Sequence, residues 1–323
     1  MSKNHKCKLL PYKREDVISI QDAQQKAGWE ITAFDLPRAW QHTRGEGVKI
    51  AVLDTGCDLE HPDLADNLLP GVNYVKFGEP PIDDCGHGSH VTGILVAIDN
   101  EIGMVGVCPK AKVMPVKVLD SKGNGNMLCV SAGIKWAADN GADFIQMSLG
   151  TPIKVQQVRK AIQYAMAKGV ITFCAAGNAG NTKEIFYPAN YPETISIGAI
   201  DKNFKRAKFS NIGENLNFMA PGVEILSTVP KNWYAMISGT SQASPFACGV
   251  AALVLSYAKK TGKLTLKTPD DYKELFKKYT IPLTDNKLNQ KLYHGFGIID
   301  PRKLEEALRQ FESSPTTQSP IST

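Results

Sequence analysis

Three short segments of this chain carry residue types that together can break an acyl bond. Asp54 closes the apolar run Ala51-Val52-Leu53 and precedes Thr55-Gly56. His87 sits among glycines in Gly86-His87-Gly88-Ser89-His90. Ser241 lies within Ser238-Gly239-Thr240-Ser241-Gln242-Ala243-Ser244-Pro245. A serine hydroxyl is a weak nucleophile until a base takes its proton. A neutral imidazole does this near pH 7, and a carboxylate can hold the imidazole in the required tautomer. Singly, each segment has a plainer reading: a turn or capping Asp, a capping or core His, a Ser/Thr helix cap. Together they are more specific. The chain order is Asp, His, Ser, with separations of 33 and 154 residues. A nucleophile-elbow esterase would run Ser, Asp, His around Gly-x-Ser-x-Gly, and here Gln242-Ala243 follow Ser241, so the second glycine is missing.

The elements that must position these residues are legible in the apolar pattern. Strand-length apolar runs occur at Val48–Asp54, Val113–Leu119, Phe144–Ser148, Val170–Ala175 and Thr194–Ile200. Helical spacing over Val155–Lys168 and Met127–Asn140 ends in each case at a glycine, Gly169 and Gly141. Alternation of the two predicts βαβ units around a parallel sheet buried on both faces. Asp54 then falls at the carboxyl end of a buried strand, where open α/β sheets place their sites. The apolar run Val91–Ile98 predicts a helix starting near His87, with His90 packed inside. Phe246–Tyr257 predicts a buried helix with Pro245 in its first turn, and a serine at such a helix start feels a positive backbone field.

Composition narrows the class. The 323 residues are 43% apolar and 21% charged, which excludes disordered, collagen-like and coiled-coil chains. The net charge of +5 is spread along the chain with no block of five or more like charges, so neither nucleic acid nor a membrane surface is expected as a partner. No run approaches the roughly 18 apolar residues of a membrane span. The seven cysteines are odd in number, scattered and free of any Cys-x-x-Cys, which suits free thiols in a reducing compartment. The first residues, MSKNHKCKLLPYKRED, lack the apolar core of a secretory signal, and a cytoplasmic location is expected. Residues 312–323 are rich in Ser, Thr and Pro and read as a disordered tail.

Residues 25–311 are similar to the subtilisin-like serine proteases (subtilases). The resemblance rests on Asp54-Thr55-Gly56, His87-Gly88-Ser89-His90-Val91, Gly239 to Pro245, and Ala175-Ala176-Gly177-Asn178. It implies a three-layer α/β fold, with a mostly parallel central sheet and helices on both faces. It also implies a serine endopeptidase acting on proteins or peptides, with Asp54, His87 and Ser241 as triad and Asn178 as oxyanion donor. Gly123-Asn124-Gly125 resembles the segment that pairs with extended substrate, and Ser148-Leu149-Gly150 a wall of the specificity pocket. Phe186 stands where many members have a small residue at the pocket base, so a shortened pocket is expected. Asp63 and the loop Ile98 to Met104 resemble a structural calcium site. Its ligands would be the side chains of Asp63 and Asn100 with the carbonyls of Ile98, Ile102 and Met104. A weaker site would lie near Ala189, Tyr191 and Thr194.

Departures from the family pattern carry their own expectations. Gln242 replaces the usual Met after the nucleophile and cannot form a sulfoxide, so resistance to peroxide is expected there. Phe246 replaces the usual His, with a repacked helix start as the expected consequence. Cys57 and Cys85 lie close in sequence to the triad residues, either as thiols whose modification blocks the site or as inert buried ones. Before Asp54 there is no room for a long folding pro-domain. Leu9-Leu10-Pro11-Tyr12 instead resembles the short extension of intracellular subtilisins, which lies over the site until removed. Residues 1–24 are therefore read as an inhibitory propeptide, and relatives of this type often form homodimers. A non-catalytic scaffold or sensor, or a specialised leader peptidase, is the alternative use of the same fold.

Overall fold

The structure, a computed structural model, describes residues 6–19, 25–180, 184–262, 266–283 and 290–303. The tail at 312–323 lies outside the described residues, as do 1–5 and 20–24 of the expected propeptide and 304–311 of the expected catalytic domain. In chain order, β1 (Lys6–Leu9) and β2 (Lys13–Ser19) come first, then α1 (Trp29–Ala33) and α2 (Leu36–Ala39). Next come β3 (Lys49–Asp54), β4 (Val72–Asn73), α3 (His87–Val96), β5 (Lys112–Lys117), β6 (Asn124–Asn126) and α4 (Met127–Asp139). They are followed by β7 (Phe144–Met147), β8 (Leu149–Gly150), α5 (Gln156–Ala167), β9 (Ile171–Ala175) and β10 (Ile195–Ile200). The chain continues through β11 (Phe218–Pro221), β12 (Ile225–Val229), β13 (Trp233–Ser238) and α6 (Thr240–Thr261). The last described elements are α7 (Pro269–Lys278), β14 (Thr280–Ile281), α8 (Gln290–His294) and β15 (Ile298–Ile299).

Among the described residues, nine strands form the central sheet in the order β14-β15-β11-β10-β9-β7-β3-β5-β4. Every neighbouring pair is parallel except β14 with β15. The runs IAVLD, FIQM, ITFCA and ISIGAI are buried at every position. That pattern is what a parallel sheet covered on both faces requires. Helix α3 packs on α6, and α4 on α5, which completes the three layers. The expected strands all form, within two residues of their predicted ends.

One helix start differs from expectation. Helix α3 begins at His87, as expected, but α6 begins at Thr240, so Pro245 stands in the second turn and not the first. Phe246 is fully buried with its ring 5.4 Å from that of Phe34. His90 is buried as expected. Burial pushes its imidazole down to about 3, and its Nε2–H donates to the Ala235 carbonyl at 3.0 Å.

Glu30 is the opposite case. Its carboxyl is buried with one oxygen unpartnered, and burial pushes it up to about 7 from an ordinary 4.5. A raised carboxyl favours the folded state while it stays protonated. That contribution is present below about pH 4.5 and lost as pH rises through about 7. Glu30→Gln is neutral at any pH. It is expected to raise the unfolding free energy by about 1–3 kcal/mol at pH 8 and hardly at all at pH 4. Urea unfolding at the two pH values checks this, and equal gains at both would contradict it.

Candidate active site

Strand β3 delivers Asp54 to the carboxyl edge of the sheet, and the first residue of α3 brings His87 to it. Asp54 Oδ1 accepts the Thr55 amide at 2.7 Å and His87 Nδ1–H at 2.8 Å. Both side chains are fully buried. An ionised carboxylate can only accept, so its contact places the ring proton on Nδ1 and leaves a lone pair on Nε2. Among the described residues, His87 Nε2 and Asp54 Oδ2 have no hydrogen-bond partner.

Ser241 is the second residue of α6, and its Oγ donates to the Ser148 carbonyl at 3.3 Å. The reverse bond explains how the helix tolerates Pro245. Proline has no N–H to give the carbonyl four residues back, which is that of Ser241. The Ser148 hydroxyl takes over, donating to the Ser241 carbonyl at 2.8 Å. Ser148 in turn accepts from Gln146 Nε2 at 3.1 Å, and Gln146 Oε1 accepts the Ser244 hydroxyl at 2.9 Å. The side chain of Ser148, a residue expected in the pocket wall, is buried and braces Ser241 from beneath. Gln146 was missed, although a Gln inside the apolar strand Phe-Ile-Gln-Met is a signal of buried polar work. Gln242 is also fully buried, with its amide unpartnered.

Asn178 Oδ1 accepts both the Thr240 amide and the Thr240 hydroxyl, at 2.9 and 2.8 Å. This fixes which way the amide faces, and Nδ2 donates to the Pro11 carbonyl at 2.7 Å. The N-terminal segment thus reaches the site. Strand β1 lies antiparallel between β6 and β8, pairing Cys7 with Gly125, Lys8 with both Asn124 and Gly150, and Leu9 with Leu149. Leu9 N–H donates to the Gly123 carbonyl at 2.8 Å. The glycines leave the room this needs. A Cβ would come within 2.6 Å of Leu9 at Gly123, 2.9 Å of Cys7 at Gly125 and 3.2 Å of Leu10 at Gly150. Leu10 is buried near Phe186, with a cavity of about 310 Å³ left along this stretch of the cleft. Beyond it, the Tyr12 ring lies 5.2 Å from that of His87, and β2 pairs antiparallel with β13. Cys85 is half-buried beside the Tyr12 hydroxyl, whereas Cys57 is buried and its thiol is pushed well up by burial, which favours the inert reading for that cysteine.

The loop expected to hold calcium folds around Asp63, which is fully buried. Asp63 Oδ1 accepts Asn100 Nδ2 at 3.1 Å, and Oδ2 accepts the Met104 amide at 3.0 Å and the Tyr234 hydroxyl at 2.8 Å. Burial and this carboxylate push the Tyr234 phenol far above its ordinary range. Ile102 is half exposed, and its N–H donates to Asn100 Oδ1 at 3.3 Å. Gln25, not foreseen, caps the Ile98 carbonyl from the start of the domain at 2.9 Å. Among the described residues no group of three or more His, Cys, Asp or Glu could hold a metal ion. One buried carboxylate, an amide and loop carbonyls are oxygen donors that suit calcium. Near the weaker expected site, the Thr194 hydroxyl already faces the carbonyls of Pro188, Ala189 and Tyr191.

A parallel α/β sheet that brings an aspartate, a histidine and a helix-start serine to one edge is the scaffold of the Asp-His-Ser serine peptidases, and the chain belongs to the subtilase family, whose model matches residues 45–298. It is a subtilisin-family serine peptidase. It is 39% identical over 316 residues to the "Intracellular serine protease" of Paenibacillus polymyxa, covering 95% of this chain and 94% of that one. It is 35% identical over 291 residues to the "Major intracellular serine protease" of Bacillus subtilis (strain 168), covering 87% and 90%. It is 42% identical over 263 residues to "Subtilisin DY" of Bacillus licheniformis, covering 80% and 91%.

The strut under Ser241 makes a stability prediction. Ser148→Ala would leave the Ser241 carbonyl buried and unpaired, and is expected to cost about 1–3 kcal/mol. Chemical denaturation of the variant against the parent chain checks it; unchanged stability would mean that another donor serves that carbonyl.

Proposed function

We propose that the chain is an endopeptidase that cleaves proteins or peptides through an acyl-enzyme and that its own N-terminal extension, residues 1–24, holds it inactive. The observation that carries this is the extension's path through the cleft, ending with the Pro11 carbonyl on Asn178 Nδ2. In this reading residues 25–311 are the catalytic domain. Ser241 Oγ attacks the substrate carbonyl, passing its proton to His87 Nε2. Asp54 holds the ring and stabilises its charged form, and His87 returns the proton to the leaving amine. Asn178 Nδ2 and the Ser241 amide receive the oxyanion. Thr240 keeps Asn178 turned toward it.

The extension resists cleavage because its register is wrong. Leu10 is seated by Gly150 and Phe186, so the bond a substrate would offer in that register follows Leu10. The carbonyl on Asn178 is that of the next residue, and Pro11 has neither an N–H nor a free φ with which to readjust. Phe186 beside Leu10 favours aliphatic over aromatic residues at that position. Calcium would be held by Asp63 and Asn100 side chains with the carbonyls of Ile98, Ile102 and Met104, and would serve to rigidify the loop. A cytoplasmic location follows from the names of the intracellular relatives and the seven free cysteines. A homodimer rests on the family resemblance alone. Among the described residues no helix is long and apolar enough to cross a membrane.

Two measurements test these readings. Removing residues 1–20 is expected to raise the rate of Ser241 labelling by a serine-directed phosphonate at least about tenfold, and to release activity on a peptide library after Leu-like residues. An unchanged labelling rate would sink the inhibitory role; no adduct at all would favour the scaffold or sensor. Chelation with EGTA is expected to lower the melting temperature of the intact chain but not that of Asp63→Asn, and equal behaviour of the two chains would remove calcium from the account.

A further inference from the structure

We propose that Asp83, acting through Thr55, is the positioning residue that sets His87 against Asp54. The inference rests on the proposed triad. Thr55 follows Asp54 in sequence and Gly88 follows His87, and the Thr55 hydroxyl joins the two segments. It accepts the Gly88 amide at 2.9 Å and donates to Asp83 Oδ1 at 2.8 Å. The same Oδ1 accepts the amides of Cys85 and Gly86 at 3.0 and 2.8 Å. Oδ2 accepts the Ser89 amide at 2.8 Å and its hydroxyl at 2.7 Å. Five donors thus converge on one carboxylate that is 4% exposed.

The reason for this convergence lies in the helix start. The first amides of a helix have no intrahelical acceptor and need one from a cap. The residue capping helix α3 is Gly86, which has no side chain to supply it. Asp83 does so from three residues before that cap, and Thr55 does so from the end of β3. The bonds that satisfy α3 therefore also tie it to the strand carrying Asp54. Gly88 lets the two backbones meet, since a Cβ there would come within 2.1 Å of the Gly56 carbonyl. Thr55 is held at its other end too. The Lys117 ammonium, almost fully buried, donates to the Thr55 carbonyl and pairs with Asp84. No atom of Asp83 bonds to Asp54, His87 or Ser241 in this network. Its effect is on where the His87 ring sits.

Asn is the isosteric test because it keeps the shape, loses one acceptor and turns an N–H₂ toward groups that are themselves donors. Full-length variants are matured by a catalytic amount of wild-type enzyme, so that maturation does not depend on the variant, and folding is checked by thermal melting. Asp83→Asn and Thr55→Val are each expected to lower kcat by about 10–100-fold with KM changed less than about twofold. Thr55→Ser, which keeps the hydroxyl, restores kcat. In an Asp54→Ala background, Asp83→Asn adds less than about twofold, because the pair it positions is already broken. A folded Asp83→Asn with kcat within twofold of wild type overturns the proposal. So does a full multiplicative loss on top of Asp54→Ala. If Asp83→Asn fails to fold, Thr55→Val carries the same test. Ser241→Ala is the control for the underlying reading: activity retained there refutes the triad itself, whatever Asp83 does.

Discussion

The site depends on one demand: a carboxylate and an imidazole, both buried, must stay 2.8 Å apart. Burying a charged group is costly unless hydrogen bonds replace its hydration. Asp54 recovers part of that cost from the Thr55 amide, which the end of the strand presents to it. The strand cannot slip to relax the contact, because β3 is apolar on both faces and bonded in parallel to β5 and β7. The helix carrying His87 is tied to the same strand end through Thr55. Distance is thus fixed from both sides, by elements whose own cores would have to break first.

The third residue arrives by a different solution to the same kind of problem. Helix α6 starts against Ser148, just past the end of β7, the strand beside the one that carries Asp54. A helix that carries a proline in its second turn has one carbonyl without a donor. Here that carbonyl belongs to the proposed nucleophile, and Ser148 from the neighbouring strand satisfies it. Unpartnered polar atoms do not mark the site by themselves. Glu30, Thr92, Thr172 and Gln242 have them as well. What distinguishes Asp54 and His87 is that their free atoms sit in one hydrogen-bonded pair, beside the helix that carries the serine.

Much of this was legible in the sequence because it is local. Runs such as Val48–Asp54 and Val170–Ala175 give the strands directly, and three short segments give the aspartate, histidine and serine. The start of α6 was less legible. Phe246 begins the apolar run, but Thr240 begins the helix, since its first residues, Thr240 and Ser241, are held by Asn178 and Ser148, partners distant in sequence. Asp83 shows the same limit more sharply. One aspartate before a glycine is an unremarkable turn residue until the fold brings Thr55 against it. Resemblance places Ser148 in a pocket wall, but that its hydroxyl also satisfies the carbonyl left by the missing amide of Pro245, 97 residues further along, is visible only in the fold.

The same reasoning bears on why a segment as short as the extension could restrain the enzyme. Strand β1 offers four residues of backbone between two edges, and β2 adds a second patch against β13. As separate peptides such short strands would bind weakly, because ordering a free peptide consumes much of what the backbone hydrogen bonds provide. In the proposed inhibitory role they would compete within one chain at an effective concentration on the order of mM, and both would have to leave before a substrate enters. A cut between the extension and the domain changes no contact in the cleft. It converts a tethered pair of weak strands into a free peptide that dilution removes. Under the proposed inhibitory role the strength would lie in the covalent connection, so a modest set of contacts would silence the intact chain and still release it after a single cleavage.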